Sequence, residues 1–203
     1  MFRFQTFLMD ARSISRYILV ATLIFIGGGV LGWMSTGVLQ DIMLQQISGL
    51  SEISNELRQS ENVQWSFFTF IFFNNAIKGV LVIFAGALGG IIPVIFLIIN
   101  GGVLGFLLHA AWQQGISYYE VVVKGLLPHG IIEIPAIIIA CAFGLKLGVM
   151  IYKALGEIGM ETSTRSIRLG AYMRQTATAS LWIVILLFIA AIIESTLTYF
   201  LVQ

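Results

Sequence analysis

Apolar positions along this chain come in long blocks rather than in alternation. Each block runs for about 20 residues or more, and shorter polar stretches separate them. A helix needs about 20 apolar residues to cross roughly 30 Å of hydrocarbon at about 1.5 Å per residue. Five such spans are predicted, at about residues 17–39, 65–88, 91–112, 126–150 and 179–202. The expected fold class is all-α: a polytopic transmembrane helical bundle of about five spans, with residues 1–203 forming a single transmembrane domain. Gly89-Gly90 and Pro93 mark the turn between the second and third spans. Pro128 and Pro135 stand in the fourth, where leucines would suit a plain membrane helix. Proline lacks a backbone donor and its ring crowds the preceding turn, so proline-broken helices are expected.

Residues 40–64 follow a different pattern. Met43, Ile47, Leu50, Ile53 and Leu57 recur at steps of three and four, the spacing of one helix face. Asp41, Glu52, Glu56 and Glu61 occupy the remaining positions against a single Arg58. Such an amphipathic segment rests on the membrane, packs on its own bundle, or offers those five apolar residues as a docking stripe for a partner. Residues 151–178 are hydrophilic and basic.

Composition supports the membrane reading. The chain is 58% hydrophobic and 10% charged, against about 25% charged in soluble domains. Its net charge of +1 gives no reason to expect nucleic acid as a partner. The single Cys141 excludes an intramolecular disulfide and a multi-cysteine metal site. The placement of positive charge predicts orientation. Arg3, Arg12 and Arg16, together with Lys146, Lys153, Arg165, Arg168 and Arg174, fall on one side of a five-span bundle. The excess of Lys and Arg faces the cytoplasm. The expectation is therefore a multi-pass plasma-membrane protein with its N-terminus cytoplasmic, and with residues 40–64 and the C-terminus extracytoplasmic.

Several polar residues interrupt the spans: Asn74, Asn75 and Lys78 in the second, Asn100 and His109 in the third, His129 and Glu133 in the fourth, and Glu194 in the fifth. With this orientation all but Asn100 are expected in the outer half of the bilayer. Charges in lipid need partners, and Lys78 with Glu133 or Glu194 is the natural pairing. His129 and Glu133, four residues apart, share a helix face. The cluster reads as a polar network holding helices together, or as a binding or conduction cavity. His109, His129 and Glu133 are a bare minimum for zinc, so no metal and no cofactor is expected. Neither an H-E-x-x-H pair nor a G-x-S-x-G elbow nor a Walker loop occurs, and no enzyme activity is expected. Glycines at four-residue spacing, including Gly28 with Gly32 and Gly101 with Gly105, suit close helix packing. Gly130 and Pro135 are assigned to helix packing as well. Gly28 and Gly32, on the span least tied to the polar cluster, are expected to form the interface of a homodimer.

Four stretches together carry a family resemblance: Phe72-Phe73-Asn74-Asn75; Gly89-Gly90-Ile91-Ile92-Pro93; Asn100-Gly101-Gly102-Val103-Leu104-Gly105; and Leu127-Pro128-His129-Gly130-Ile131-Ile132-Glu133-Ile134-Pro135-Ala136. With the Gly144-Leu145-Lys146-Leu147-Gly148 ending they resemble the stage II sporulation protein M family over about residues 15–203. The resemblance implies an integral membrane protein of about five spans. In spore-forming bacteria the namesake assembles with peptidoglycan-degrading enzymes during engulfment, serving as anchor and recruiter. The functional expectation is a membrane anchor or scaffold that positions extracytoplasmic protein partners. The alternative is a small transporter or channel, for an ion or a proton-coupled solute, that uses the polar cluster.

Overall fold

In the computed structural model the apolar runs are helices. They are α1 (Phe4–Ser13), α2 (Ser15–Trp33), α3 (Val38–Arg58), α4 (Val63–Ala85), α5 (Ile91–Gln113), α6 (Leu127–Gly156) and α7 (Leu169–Ile193). Short π-helical segments, Tyr119–Leu126 and Glu194–Thr198, lead into α6 and extend α7. The structure describes residues 2–117, 119–157 and 169–198, with the side chains of Leu50, His129, Leu197 and Thr198 outside that description. Among the described residues, five helices are long and apolar enough to cross a membrane: Ser15–Trp33, Val63–Ala85, Ile91–Gln113, Gly130–Gly156 and Leu169–Thr196.

The boundaries differ from the sequence expectation in physically legible ways. The first span stops at Trp33 rather than at residue 39, because Gly37 turns the chain with φ of 57° and α3 starts straight after it. The fourth runs on to Gly156 and the fifth begins at Leu169, so much of the basic 151–178 stretch is helix. Lys153 and Arg174 are exposed on those helix ends, while Arg165 and Arg168 lie outside the described residues. No helix is broken at a proline among the described residues. Pro128 sits in the first turn of α6, where its missing N–H costs nothing, but α6 is assigned without interruption across Pro135.

α6 is the central helix and touches each of the other four spans. Ala136, Ala140, Cys141, Ala142 and Phe143 on it are fully buried. Small residues there let the flanking helices come close, and Phe143 fills the space left over. On one flank α2 lies along α5, and the seam between them is backbone against backbone. A Cβ added at Gly32 would overlap the Gly102 carbonyl, at Gly101 the Phe25 carbonyl, and at Gly105 the Gly29 carbonyl. At Gly28 it would stand 2.6 Å from the Ile98 carbonyl oxygen. This overturns the expected dimer interface. Gly28 and Gly32 are buried inside the protomer, where they serve α5 rather than a second copy. A second seam joins the α4–α5 turn to α6, with Gly86 against Gly144 and Gly148 against Gly89 and Gly90. The turn itself requires glycine, since Gly89 and Gly90 have φ of 68° and 79°. Gly130 is buried and Pro135 exposed. A Cβ on Gly130 would meet Ile134 at 3.5 Å and Leu126 of the preceding segment at 3.7 Å.

α1 lies against α7. Phe7, Ala11 and Ile14 are buried, Phe4 meets Trp182 at 4.8 Å between ring centroids, and the Trp182 indole N–H donates to the Phe2 carbonyl at 3.2 Å. Arg3, Arg12 and Arg16 point away. Partial burial pushes the Asp10 carboxyl above its ordinary value, opposed by the Lys146 ammonium. A raised acid favours folding below the unfolded value and loses that contribution as pH rises through the folded one. Asp10→Asn is therefore expected to raise the melting temperature at neutral pH, with the difference vanishing below about pH 4. Thermal unfolding of both proteins across that range checks the sign.

Candidate functional site

α4 and α5 are joined by the glycine turn but pack sparsely on each other. They diverge from it, and the wedge between them is closed behind by α6 and the end of α7 and covered by α3. The result is a cavity of about 600 Å³. Phe67, Ile71, Asn74 and Lys78 repeat at helical spacing, so one face of α4 supplies a wall. Phe96, Asn100 and Val103 face it from α5, Glu133 and Ile137 from α6, and Glu194 from the start of the π-helical segment. Gln46, Ser54, Ile53 and Leu57 form the roof.

The structure brings together six of the eight residues singled out from the sequence: Asn74, Asn75, Lys78, Asn100, Glu133 and Glu194. The pairing differs from expectation. The Asn75 amide donates to Glu133 Oε1 at 2.8 Å, and the Asn74 amide donates to Asn75 Oδ1 at 3.3 Å. Lys78 is exposed on α4, and the Glu133 carboxylate takes the Asn75 amide instead. Asn75, three residues before Lys78 on α4, is the one turned toward Glu133. Glu133 lies near the start of α6, whereas Lys78 is nearer to the Ala85 end of α4 than to Val63. Lys78 is therefore not in the half of the bundle nearest α3. Asn100 turns its amide back to its own helix, donating to the Phe96 carbonyl at 2.7 Å.

His109 is elsewhere. Its ring meets Trp33 edge-on at 5.0 Å and Trp112 at 5.8 Å, and its Nε2 lies 2.9 Å from the Gln113 amide nitrogen. It belongs to an aromatic group where α2 and α5 end, and it takes no part in the cavity. The His129 side chain lies outside the described residues. The described residues contain no group of three His, Cys, Asp or Glu able to hold a metal ion.

The apolar stripe of α3 is turned inward. Met43 is buried and would touch a Cβ on Gly102 at 3.3 Å, Ile47 is half-buried, and Ile53 and Leu57 line the cavity. A stripe occupied in this way is not a free docking surface, and the expectation that Met43, Ile47, Ile53 and Leu57 receive a partner does not fit this arrangement. The Leu50 side chain lies outside the description. Sequence reasoning missed the roof residues Gln46 and Ser54 and the aromatic walls Phe67, Phe70 and Phe96. Phe67, Phe70 and Ile71 do stand seven, four and three residues before Asn74, and that spacing on one helix face was the available signal.

Helix count, burial pattern and intramembrane polar groups define a five-span α-helical membrane protein with a polar cavity between its spans. The model of the family described as stage II sporulation protein M matches residues 21–199, and the chain belongs to that family. No curated protein matches it, and no solved structure does.

Proposed function

We propose that this protein binds a small polar solute in the cavity between α4, α5 and α6 and passes it toward or across the membrane as a small transporter, without enzymatic chemistry of its own. The observation that carries the reading is the cavity itself. It groups two carboxylates, an ammonium and three asparagines from four elements within hydrocarbon depth, where each polar group is costly unless it faces protein, water or a ligand. The N-terminus is cytoplasmic and α3 extracytoplasmic in this reading, on the distribution of Lys and Arg. A second reading, a scaffold for an extracytoplasmic protein, is favoured by one feature. Asp41, Glu52 and Glu56 form an exposed acidic face on α3, while its apolar stripe faces the bundle.

Cysteine accessibility tests the proposal. Buried Cys141 gives a quiet background. Asn100→Cys is expected to react in intact cells with a small, charged, membrane-impermeant thiol reagent; an inert cysteine there defeats the solute-cavity reading. For orientation, Glu56→Cys should label in intact cells, and Lys153→Cys only after permeabilisation. The reverse pattern refutes the topology. Charge reversal of Asp41, Glu52 and Glu56 leaves function intact if the cavity is the working part and abolishes it if the scaffold reading holds.

A further inference from the structure

Apart from the polar cavity, an apolar groove of about 350 Å³ opens on the lipid-facing surface between α2, α5 and α6. Tyr17 and Val20 line it from α2, Val94 and Ile95 from α5, and Leu145 and Val149 from α6; the Gly89-Gly90 turn completes it. Val20, Ile95 and Val149 are exposed. An apolar hollow facing hydrocarbon is filled by a chain, because an empty one forfeits dispersion contacts. The charge at its mouth narrows the choice of chain. Arg16 stands one turn before Val20 on α2, and Lys153 one turn after Val149 on α6, so each cation shares a helix face with a groove residue. Both are exposed. α2 starts and α6 finishes at this end of the bundle, which places both cations beyond the groove on the same side. Lys146 is engaged elsewhere, over the Tyr172 ring at 4.7 Å, and Glu157 stands a turn beyond Lys153, farther from the groove. α5 begins here too, with Gly90 as its cap, so the positive end of its dipole adds to the potential.

We infer that this groove is a binding site for an anionic phospholipid, with an acyl chain along Val20, Ile95 and Val149 and the phosphate held by Arg16 and Lys153. A basic site between spans is suited to an anionic headgroup. A free anion would gain nothing from the apolar walls. A zwitterionic lipid would bring a third cation to a mouth that already holds two. A second copy of the chain, inserted the same way round, has its acidic α3 at the opposite end, because α3 follows the far end of α2. The inference does not depend on the solute-cavity reading.

Native mass spectrometry of the full-length protein in a mild detergent, titrated with dioleoylphosphatidylglycerol or dioleoylphosphatidylcholine, provides the test. The first phosphatidylglycerol is expected to bind at least about tenfold more tightly than the first phosphatidylcholine. Arg16→Gln and Lys153→Gln should each weaken phosphatidylglycerol about fivefold and leave phosphatidylcholine unchanged, while Arg16→Lys keeps the charge and most of the affinity. Arg58→Gln removes an exposed cation on α3 and should change neither lipid. Ile95→Trp fills the groove and should weaken both. Equal binding of the two lipids by the unmodified protein overturns the inference. So does a preference that survives Arg16→Gln combined with Lys153→Gln, or one that Arg58→Gln reduces as much. If a charge variant fails to fold, Ile95→Trp decides, and an undiminished preference with the groove filled overturns the site. A dimer that Ile95→Trp converts to monomer gives the groove to a second copy and overturns it as well.

Discussion

Gly105→Leu is expected to abolish accumulation of folded protein, and Gly105→Ala to cost at least about 1–3 kcal/mol, the usual range for forcing one extra carbon into a packed interior. The site cannot relax cheaply. The added carbon would meet the Gly29 carbonyl, part of a helix backbone rather than the end of a side chain, so α2 as a whole would have to withdraw from α5. Withdrawal would open the contacts at Gly28, Gly32 and Gly101 as well. Gly27 is the control. It sits on α2 with nothing within 4 Å of an added Cβ, and Gly27→Ala should be neutral or stabilising by about 0.5–1 kcal/mol, since alanine restricts the unfolded chain. Fluorescence-detected size exclusion with thermal challenge in mild detergent reads all three. Equal behaviour of Gly27→Ala and Gly105→Ala would remove the seam from the account.

The second large effect is at Asn75. Asn75→Leu leaves Glu133 without its donor and is expected to cost about 1.5–3 kcal/mol, the range for hydrogen bonds to charged groups. Glu133→Gln keeps an acceptor for the Asn75 amide and should cost less. Asn75→Leu with Glu133→Leu removes both partners and should recover part of the loss, because neither polar group is then stranded. A coupling energy of about 0.5–3 kcal/mol from the four melting transitions is the expected outcome. Strictly additive losses would show that the 2.8 Å contact is not energetically coupled.

The parts of this fold that were legible in the sequence rest on composition over a window. Twenty apolar residues in a row announce a span whatever they pack against, and the Gly89-Gly90-Pro93 turn announces itself through backbone chemistry. What failed depends on which face meets which neighbour. Gly28 and Gly32 carried a correct message, close backbone approach, but spacing alone does not distinguish a partner within the chain from one outside it. The α3 stripe likewise announced burial without saying against what. Residue numbers placed Lys78 beside Glu133, yet Asn75, three residues before Lys78 on α4, is the one turned toward Glu133. Asn75 was chosen as a cluster member, and only the helix rotation selected it rather than Lys78 as the partner of Glu133. His109 shows the converse, an intramembrane polar residue whose company is two tryptophans.

The α2–α5 seam also constrains how the chain is made. A ribosome releases α2 first, then α3 and α4, and only afterwards the α5 that covers the glycine face of α2. α2 can wait alone in lipid, because its glycine face carries no side chain that needs a partner. α4 is in a different position. It reaches the translocon with Asn74, Asn75 and Lys78 on one face, and the carboxylate that Asn75 binds is synthesised two spans later. Release of α4 into the bilayer is therefore expected to lag, and nascent chains truncated before α6 should be retained by the insertion machinery while those ending after α2 are let go.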